Sequence, residues 1–430
     1  MLSRDVGRMT SRIYPLILFL LLVGPVWAAP VAQPARPAAE NAAPISFTAV
    51  KGPPGACGPG CDRWIAAEGK IDNGAAARFR KFLKQIGDIS LPIYLHSPGG
   101  NLEQALAIGN MLRERKFVAR VGRTIVEECG FEAQDGDVCV KLKQSGRELH
   151  GEVWTRGATC NSACPYLILG AVTREIAPDA FLAVHSPHVI LNFTGGVPTR
   201  EMRAKALEQA MTRSDGMVSA YLKKMGVAQG LLAAARAVRF EDMHVLTREE
   251  IAGFGIDPRR RVETPWVFEQ FSRGLVYKTA SERVGEAGAF RTTRIQLFCI
   301  DANQYELHFQ RQPLPPGTSE PRIKLAFGTG SVDFLYPPRK EQGDKGQEKT
   351  QETWAMRLSA GQAAMLASTP QLTIVDKVGT GGQPTTTDRF DGAELRAPLL
   401  RLMATCPPRN LGLARSLNNG TTPSFARSSN

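Results

Sequence analysis

The chain has 430 residues, 43% of them hydrophobic and 22% charged, with a formal net charge of +12. That apolar share supports folded cores and excludes a wholly disordered chain. The positive charge is spread along the sequence, without a basic block interleaved with aromatics, so no nucleic-acid partner is expected.

The N-terminus comes first. Arg4, Arg8 and Arg12 precede an apolar run from Ile13 to Val26, and Val26 to Ala28 supplies a V-x-A site. Residues 1–28 therefore read as a secretory signal peptide cleaved after Ala28. The run is shorter than the ~20 residues of a spanning helix, and Pro15 and Gly24 interrupt it. No later segment is long and apolar enough, so no stable membrane span is expected after cleavage. Residues 29–45 read as an Ala/Pro-rich linker. The remainder is long enough for two ordinary domains.

Eight cysteines in an exported chain imply disulfides and an oxidising compartment such as a periplasm. Closeness in sequence favours Cys57 with Cys61, Cys129 with Cys139, and Cys160 with Cys164, leaving Cys299 for Cys406. Two alternatives stay open at this point. Cys160 and Cys164 would each bond to Cys57 or Cys61, or those four thiolates would hold zinc.

From Trp64 the elements alternate. "RWIAAEGKI" reads as a strand, and residues 72–86 as a helix opening at Asp72 or Asn73, with Phe79, Phe82, Leu83 and Ile86 on one face. "LPIYLHS" is a strand, "PGG" a turn, "NLEQALAIGNMLRERKF" a helix and "VARVG" a strand. This alternation predicts a parallel sheet with right-handed crossovers. Residues 123–155 break the rhythm and read as a disulfide-stapled insertion, a hairpin. A strand then ends at His185, followed by helices at about 198–225 and 227–237 and in "TREEIAGFG". Beyond residue 258, "RTTRIQLFCIDANQYELHFQRQ", "IKLAFGTGSVDFLY" and "QLTIVDKV" alternate at period two, as half-buried strands do. A helix in "AELRAPLLRLMATC" leads to Cys406. The expected organisation is an α/β domain over 46–258, a smaller mostly-β C-terminal domain over 263–408, and a disordered tail over 409–430. "PPRKEQGDKGQEKTQE" reads as a solvated loop.

Three segments carry chemistry: "HSPGG" at 96–100, "CNSACP" at 160–165 and "AVHSP" at 183–187. A serine hydroxyl becomes nucleophilic when a base takes its proton, and its tetrahedral intermediate needs backbone N–H donors. Ser162 at a strand-to-helix junction supplies the hydroxyl and His185 the base. Ala163, with Gly99 or Gly100, supplies the N–H groups of an oxyanion hole. If residues 160–164 turn helically, Cys160 and Cys164 share a face and Ser162 lies roughly 200° away. A bridge there would stiffen the turn without covering the hydroxyl.

With Ile71 and Asp72 ahead of them, "YLHSPGGNLEQALAIGNMLRE", "CNSACPYLILGAVTREIAPDAFLAVHSP" and "LTREEIAGFGI" resemble the proteolytic subunit of the Clp protease, in the ClpP/crotonase superfamily. The resemblance covers about residues 62–258. It implies a ClpP/crotonase-like ββα spiral, Ser162 as nucleophile, His185 as base, and Gly99, Gly100 and Ala163 as oxyanion donors. It also implies a peptide or small-protein substrate, no cofactor, no metal, and a homo-oligomer assembled through residues 198–225. The family's acid falls within "RFEDMHVLT": a gapless alignment puts it on Met243, with Asp242 beside it and Glu241 next. Asp242 is taken as the third triad member. The insertion at 123–155 departs from the family, and export removes any cytosolic unfoldase. The leading expectation is an exported serine hydrolase, a peptidase. The alternative is a catalytically inactive scaffold or binding protein.

Overall fold

The structure is a computed structural model. It describes residues 42–406, apart from residues 59, 194–196, 271–272, 286–287, 302–303, 313–321, 329, 335–338, 342–350 and 378–383. The expected signal peptide, residues 29–41 of the linker, most of the loop at 337–352 and the tail at 409–430 lie outside the described residues.

The described residues form one compact unit of mixed α/β structure with two large hydrophobic cores. Within the expected linker, Pro44 bridges Lys70 and Ile45 is fully buried. The first core lies against a seven-stranded sheet. Its strands are β1 (Ser46–Lys51), β2 (Arg63–Glu68), β3 (Ile93–His96), β4 (Val118–Val121), β5 (Arg123–Val126), β6 (Leu149–Trp154) and, after the short β7 (Thr159–Asn161), β8 (Thr173–Glu175). Their spatial order is β5-β6-β1-β2-β3-β4-β8. Neighbours β2, β3, β4 and β8 run parallel, with α1 (Ala75–Ile86) and α2 (Leu102–Glu114) as crossovers. The helix α1 buries Ala75, Ala76, Phe79, Phe82 and Leu83 on its inner face. Asn101 caps α2 by accepting from Gln104 N at 3.0 Å, which fixes where the helix begins after the glycine loop.

The insertion is more than a hairpin. Strands β5 and β6 do pair antiparallel, but α3 (Asp137–Lys143) lies between them and β6 joins β1 in parallel. The connection thereby extends the main sheet. Lys143 is buried beside Glu68 at 2.5 Å, and the Cys129–Cys139 disulfide closes the excursion.

A second sheet has the order β10-β9-β7, where β9 is Phe181–Val184 and β10 is His244–Val245. Between β7 and β8 lies α4 (Cys164–Ile168), and α5 (Arg200–Met225), α6 (Gly230–Arg236) and α7 (Arg248–Gly253) complete this half. The first 18 residues of α5, Arg200 to Met217, include none that is buried; the helix is anchored by Val218, Tyr221, Leu222 and Met225. Among the described residues no helix is long and apolar enough to cross a membrane.

The C-terminal half carries two antiparallel sheets. One contains β11 (Arg261–Glu263), β12 (Val267–Glu269), β13 (Leu275–Val284), β14 (Ala289–Asp301), β15 (Gln304–Arg311), β18 (Arg339–Glu341) and β19 (Gln351–Ser359). The other contains β16 (Arg322–Phe327), β17 (Gly330–Asp333), β20 (Gln371–Lys377) and β21 (Pro384–Asp391), and the helices are α8 (Ala360–Leu366) and α9 (Arg396–Ala404). All four expected disulfides are formed. That pairing consumes the thiolates of the zinc alternative, and it is compatible with an oxidising compartment.

Two predictions follow from the packing. The Cys299–Cys406 bond closes a loop 107 residues long, a constraint on the unfolded chain worth about 4–5 kcal/mol. Replacing both cysteines by Ala should lower the denaturation midpoint of the C-terminal half accordingly, read by urea titration with and without a reductant. The second concerns Asp179, which is 8% exposed with neither carboxylate oxygen hydrogen-bonded. Burial raises its pKa, opposed by the nearby Thr155 hydroxyl and by Arg294 and Arg156. A raised folded pKa means that stability is fully present below the unfolded value and is lost as pH rises through the folded one. Asp179→Asn should therefore stabilise the protein at pH 7 by about 1 kcal/mol. A gain that persists undiminished at pH 3.5 would contradict this account.

Candidate active site

The site is assembled where the two sheets touch. Strand β3 ends at His96 and leads into the glycine loop, and β7 ends at Asn161 and leads into Ser162. Ser97, fully buried, joins them by a bridge to Cys160. Its N–H donates to Thr159 O at 2.8 Å and its carbonyl accepts from Asn161 N at 3.0 Å. Its hydroxyl donates to Gly69 O at 2.7 Å and accepts from Gly99 N at 3.1 Å. The His96 ring adds a further tie, with Nδ1 accepting from Thr159 N at 3.0 Å. Burial lowers the His96 pKa, which keeps that nitrogen unprotonated and able to accept.

Ser162 has φ of 60°, the left-handed region that a non-glycine residue rarely enters. The expected helical turn from Cys160 to Cys164 is therefore absent. The chain kinks at Ser162 instead, and α4 starts at Cys164. The Cys160–Cys164 disulfide, Cα–Cα 5.1 Å, spans the kink with both cysteines fully buried. Ser162 N donates to Ala183 O at 2.9 Å, fastening the kink to β9. His185 follows β9 directly, and its Nε2 lies 2.7 Å from Ser162 Oγ. Hydroxyl and imidazole thus stand in hydrogen-bond contact, as proton transfer between them requires.

The three expected oxyanion donors divide. Gly99 N–H is occupied by Ser97 Oγ, so Gly99 is corrected from donor to close-packing residue. With φ of 96°, a Cβ there would sit 2.5 Å from Asn161 O and 2.6 Å from Ser162 Cβ. Gly100 N–H and Ala163 N–H have no acceptor among the described residues. These two remain free to donate to an oxygen at the site.

Asp242 does not reach His185. Its carboxylate is bound by Arg239 at 2.8 Å and is half exposed, and the turn between them is closed by Asp242 N donating to Arg239 O. His185 Nδ1 is buried without a hydrogen-bond partner. Desolvation is the largest influence on the ring and lowers its pKa; the adjacent Phe240 backbone and the Glu241 charge oppose it. The Phe240 backbone falls short of hydrogen-bond geometry with Nδ1. Met243, where the gapless alignment puts the acid, is an exposed methionine. The arrangement is a dyad.

Two residues of this site had no assigned role in the sequence. Ser97 stood inside the quoted glycine turn, with nothing to mark its hydroxyl as the joint between strands. Phe240, whose ring lies 5.1 Å from that of His185, is an isolated aromatic on a turn, where no periodicity signals it.

No protein-family model matches the chain, and no curated protein matches it.

Gly99→Ala tests that geometry. The added methyl must displace the Asn161–Ala163 backbone, and a shift of about 1 Å costs on the order of 100-fold in a positioned reaction. The rate at which a fluorophosphonate reacts with Ser162 should fall by that order, with the near-ultraviolet circular dichroism of the folded chain retained.

Proposed function

We propose that this chain is an exported, ClpP-like serine hydrolase, a peptidase acting on peptides or small proteins in a periplasm. The observation that carries the reading is the 2.7 Å contact between Ser162 Oγ and His185 Nε2 at a kink with two unoccupied backbone donors. The sequence resemblance described above adds the substrate class and the ClpP/crotonase type of fold, and the disulfides are in keeping with export.

In this reading His185 is neutral at pH 7 with its proton on Nδ1, and Nε2 takes the Ser162 proton as Oγ bonds to the substrate carbonyl carbon. The carbonyl electron pair moves onto oxygen, where the Gly100 and Ala163 N–H groups receive it. Collapse of the intermediate expels the amine, which takes the proton from Nε2, and leaves an acyl-Ser162. Water repeats the sequence in reverse roles, releasing the acid and restoring the serine. With no carboxylate on Nδ1 the imidazolium is stabilised less, and the rate falls below that of a complete triad by up to about 10⁴-fold. No cofactor or metal enters these steps.

Assembly into a homo-oligomer belongs to the same proposal. The first two-thirds of α5 includes no buried residue and meets α6 through Arg236, with Met211 and Asp215, which leaves most of its surface open to another copy.

One observation favours a second reading, a catalytically inactive scaffold. His185 Nδ1 has no acceptor, and Asp242, the expected acid, is paired with Arg239.

The deciding experiment is labelling of the oxidised mature protein by a fluorophosphonate beside Ser162→Ala and His185→Ala. The wild type should be labelled, both variants should lose the label, and the rate should rise with pH through a midpoint below the ordinary histidine value of about 6.5. A folded, disulfide-intact wild type that takes no label would establish the scaffold reading.

A further inference from the structure

The His185 ring makes one hydrogen bond, to Ser162, and its other nitrogen makes none. An imidazole held at one atom is free to swing about its side-chain torsions, yet this ring faces its partner at contact distance. What holds it is aromatic. The Phe240 ring lies with its centroid 5.1 Å from that of His185 at an interplanar angle of 33°. The His188 ring is also packed on Phe240, at 4.9 Å and 36°. Phe240 therefore contacts both imidazole rings.

Phe240 is itself fixed. It occupies the turn from Arg239 to Asp242, closed by Asp242 N donating to Arg239 O at 3.1 Å and by the ion pair between the same two residues. The chain before that turn is fastened to the residue after His185. Ser186 N donates to Val238 O at 2.9 Å, and Ser186 Oγ reaches Ala235 O and Arg236 O, both at 3.3 Å. Base and turn are thus pinned together by backbone on one side and by ring contact on the other.

We propose that Phe240 is the positioning residue of this site, its ring holding the His185 imidazole toward Ser162 in place of the carboxylate that orients histidine in a complete triad. The inference rests on the reading of Ser162 and His185 as nucleophile and base. It assigns a distinct division of labour. A carboxylate both orients the ring and stabilises its charge, whereas Phe240 orients and desolvates only. The Arg239–Asp242 pair then acts at one remove, keeping the turn closed so that Phe240 stays in place.

The electrostatic surroundings make the test sharp. Glu241, on the same turn, is the charged group that acts directly on the ring. Arg239 and Asp242 neutralise each other, the Ser162 segment contributes a hydroxyl, and His188 lies beyond Phe240. Removing the Phe240 ring admits water to His185 while leaving Glu241 in place, so both changes favour the protonated imidazole.

The experiment follows the His185 ring by proton NMR titration, its signal assigned by loss in His185→Gln, alongside fluorophosphonate labelling of the oxidised full chain. In Phe240→Ala the titration midpoint should rise, the pH–labelling curve should move to higher pH with it, and labelling at its plateau should slow about tenfold. Phe240→Leu keeps the apolar cover without a ring; its midpoint should stay near wild type while labelling still slows. Phe240→Tyr restores both. A Phe240→Ala midpoint and labelling rate equal to wild type would overturn the proposal, and so would Phe240→Leu labelling at the wild-type rate. A wild type that takes no label, with the midpoint still moving in Phe240→Ala, would remove the hydrolase reading and leave the ring-holding role standing.

Discussion

Ser97 donates and accepts on the backbone with Thr159 and Asn161, and donates and accepts through its hydroxyl with Gly69 and Gly99. Two of these four bonds tie the end of β3 to β7, although the strands belong to different sheets, and the other two hold Gly69 and Gly99 to the same fully buried residue. Every later feature of the site inherits its coordinates from that joint. The glycine loop is held against the serine kink closely enough that Gly99 tolerates no Cβ, and Ser162 is in turn bonded to β9 through Ala183. The left-handed backbone at Ser162 costs on the order of 1–3 kcal/mol. It persists because the disulfide across it, the Ser97 joint and the bond to β9 constrain the chain on each side.

The constraint on His185 is of another kind. Its environment is apolar, and the consequence is twofold. Burial keeps the imidazole neutral, which suits a base, but it also withholds the charge that would stabilise the imidazolium formed when the base acts. Burial thus raises the neutral share of the ring while lowering its basicity. Under the proposed function, a serine–histidine pair without a carboxylate partner would react readily with an activated phosphonate and sluggishly with an amide.

Residue type and order made the chemical core legible. Ser162 and His185 lie 23 positions apart; His185 follows the apolar run "FLAV", which reads as a strand, and Ser162 lies among small residues just before an apolar helix, which marks a strand-to-helix junction. The disulfides were readable for a simpler reason: three of the pairs are near in sequence, so little choice remained for the fourth. Asp242 was misassigned because a one-residue offset on a turn redirects a short side chain entirely, and the Arg239 that captures it lies three residues back, a spacing without meaning outside a helix. The strand β1 was passed over because "SFTAVK" is short and follows a proline-rich stretch, and α3 because its seven residues sit among glycines and acids. The strand β13 escaped for a physical reason. It is buried on both faces from Leu275 to Ser281, so the period-two alternation that exposed β14 and β15 is missing from it.

The C-terminal half also bears on the site. The segment that becomes β7 and then Ser162 starts at Thr155 and Arg156, and the segment that becomes β9 and then His185 starts at Asp179. Arg156 and Asp179 meet the C-terminal half. Arg156 binds Glu269 at 2.8 Å and lies over the Tyr277 ring, and Asp179 feels Arg294 from β14. The Asp179 carboxylate, the Thr155 hydroxyl and the Tyr277 hydroxyl are all buried without hydrogen-bond partners. Buried polar groups left in that condition are costly, and the cost falls where the two segments that lead to Ser162 and His185 begin. Strands β7 and β9 are paired in parallel from Thr159 and Phe181 onward, so the two segments that leave this seam run side by side toward Ser162 and His185. The relative position of Ser162 and His185 is thus set at two places: at Ser97, where the sheets join, and at the seam, where the C-terminal half fixes the starting points of both strands.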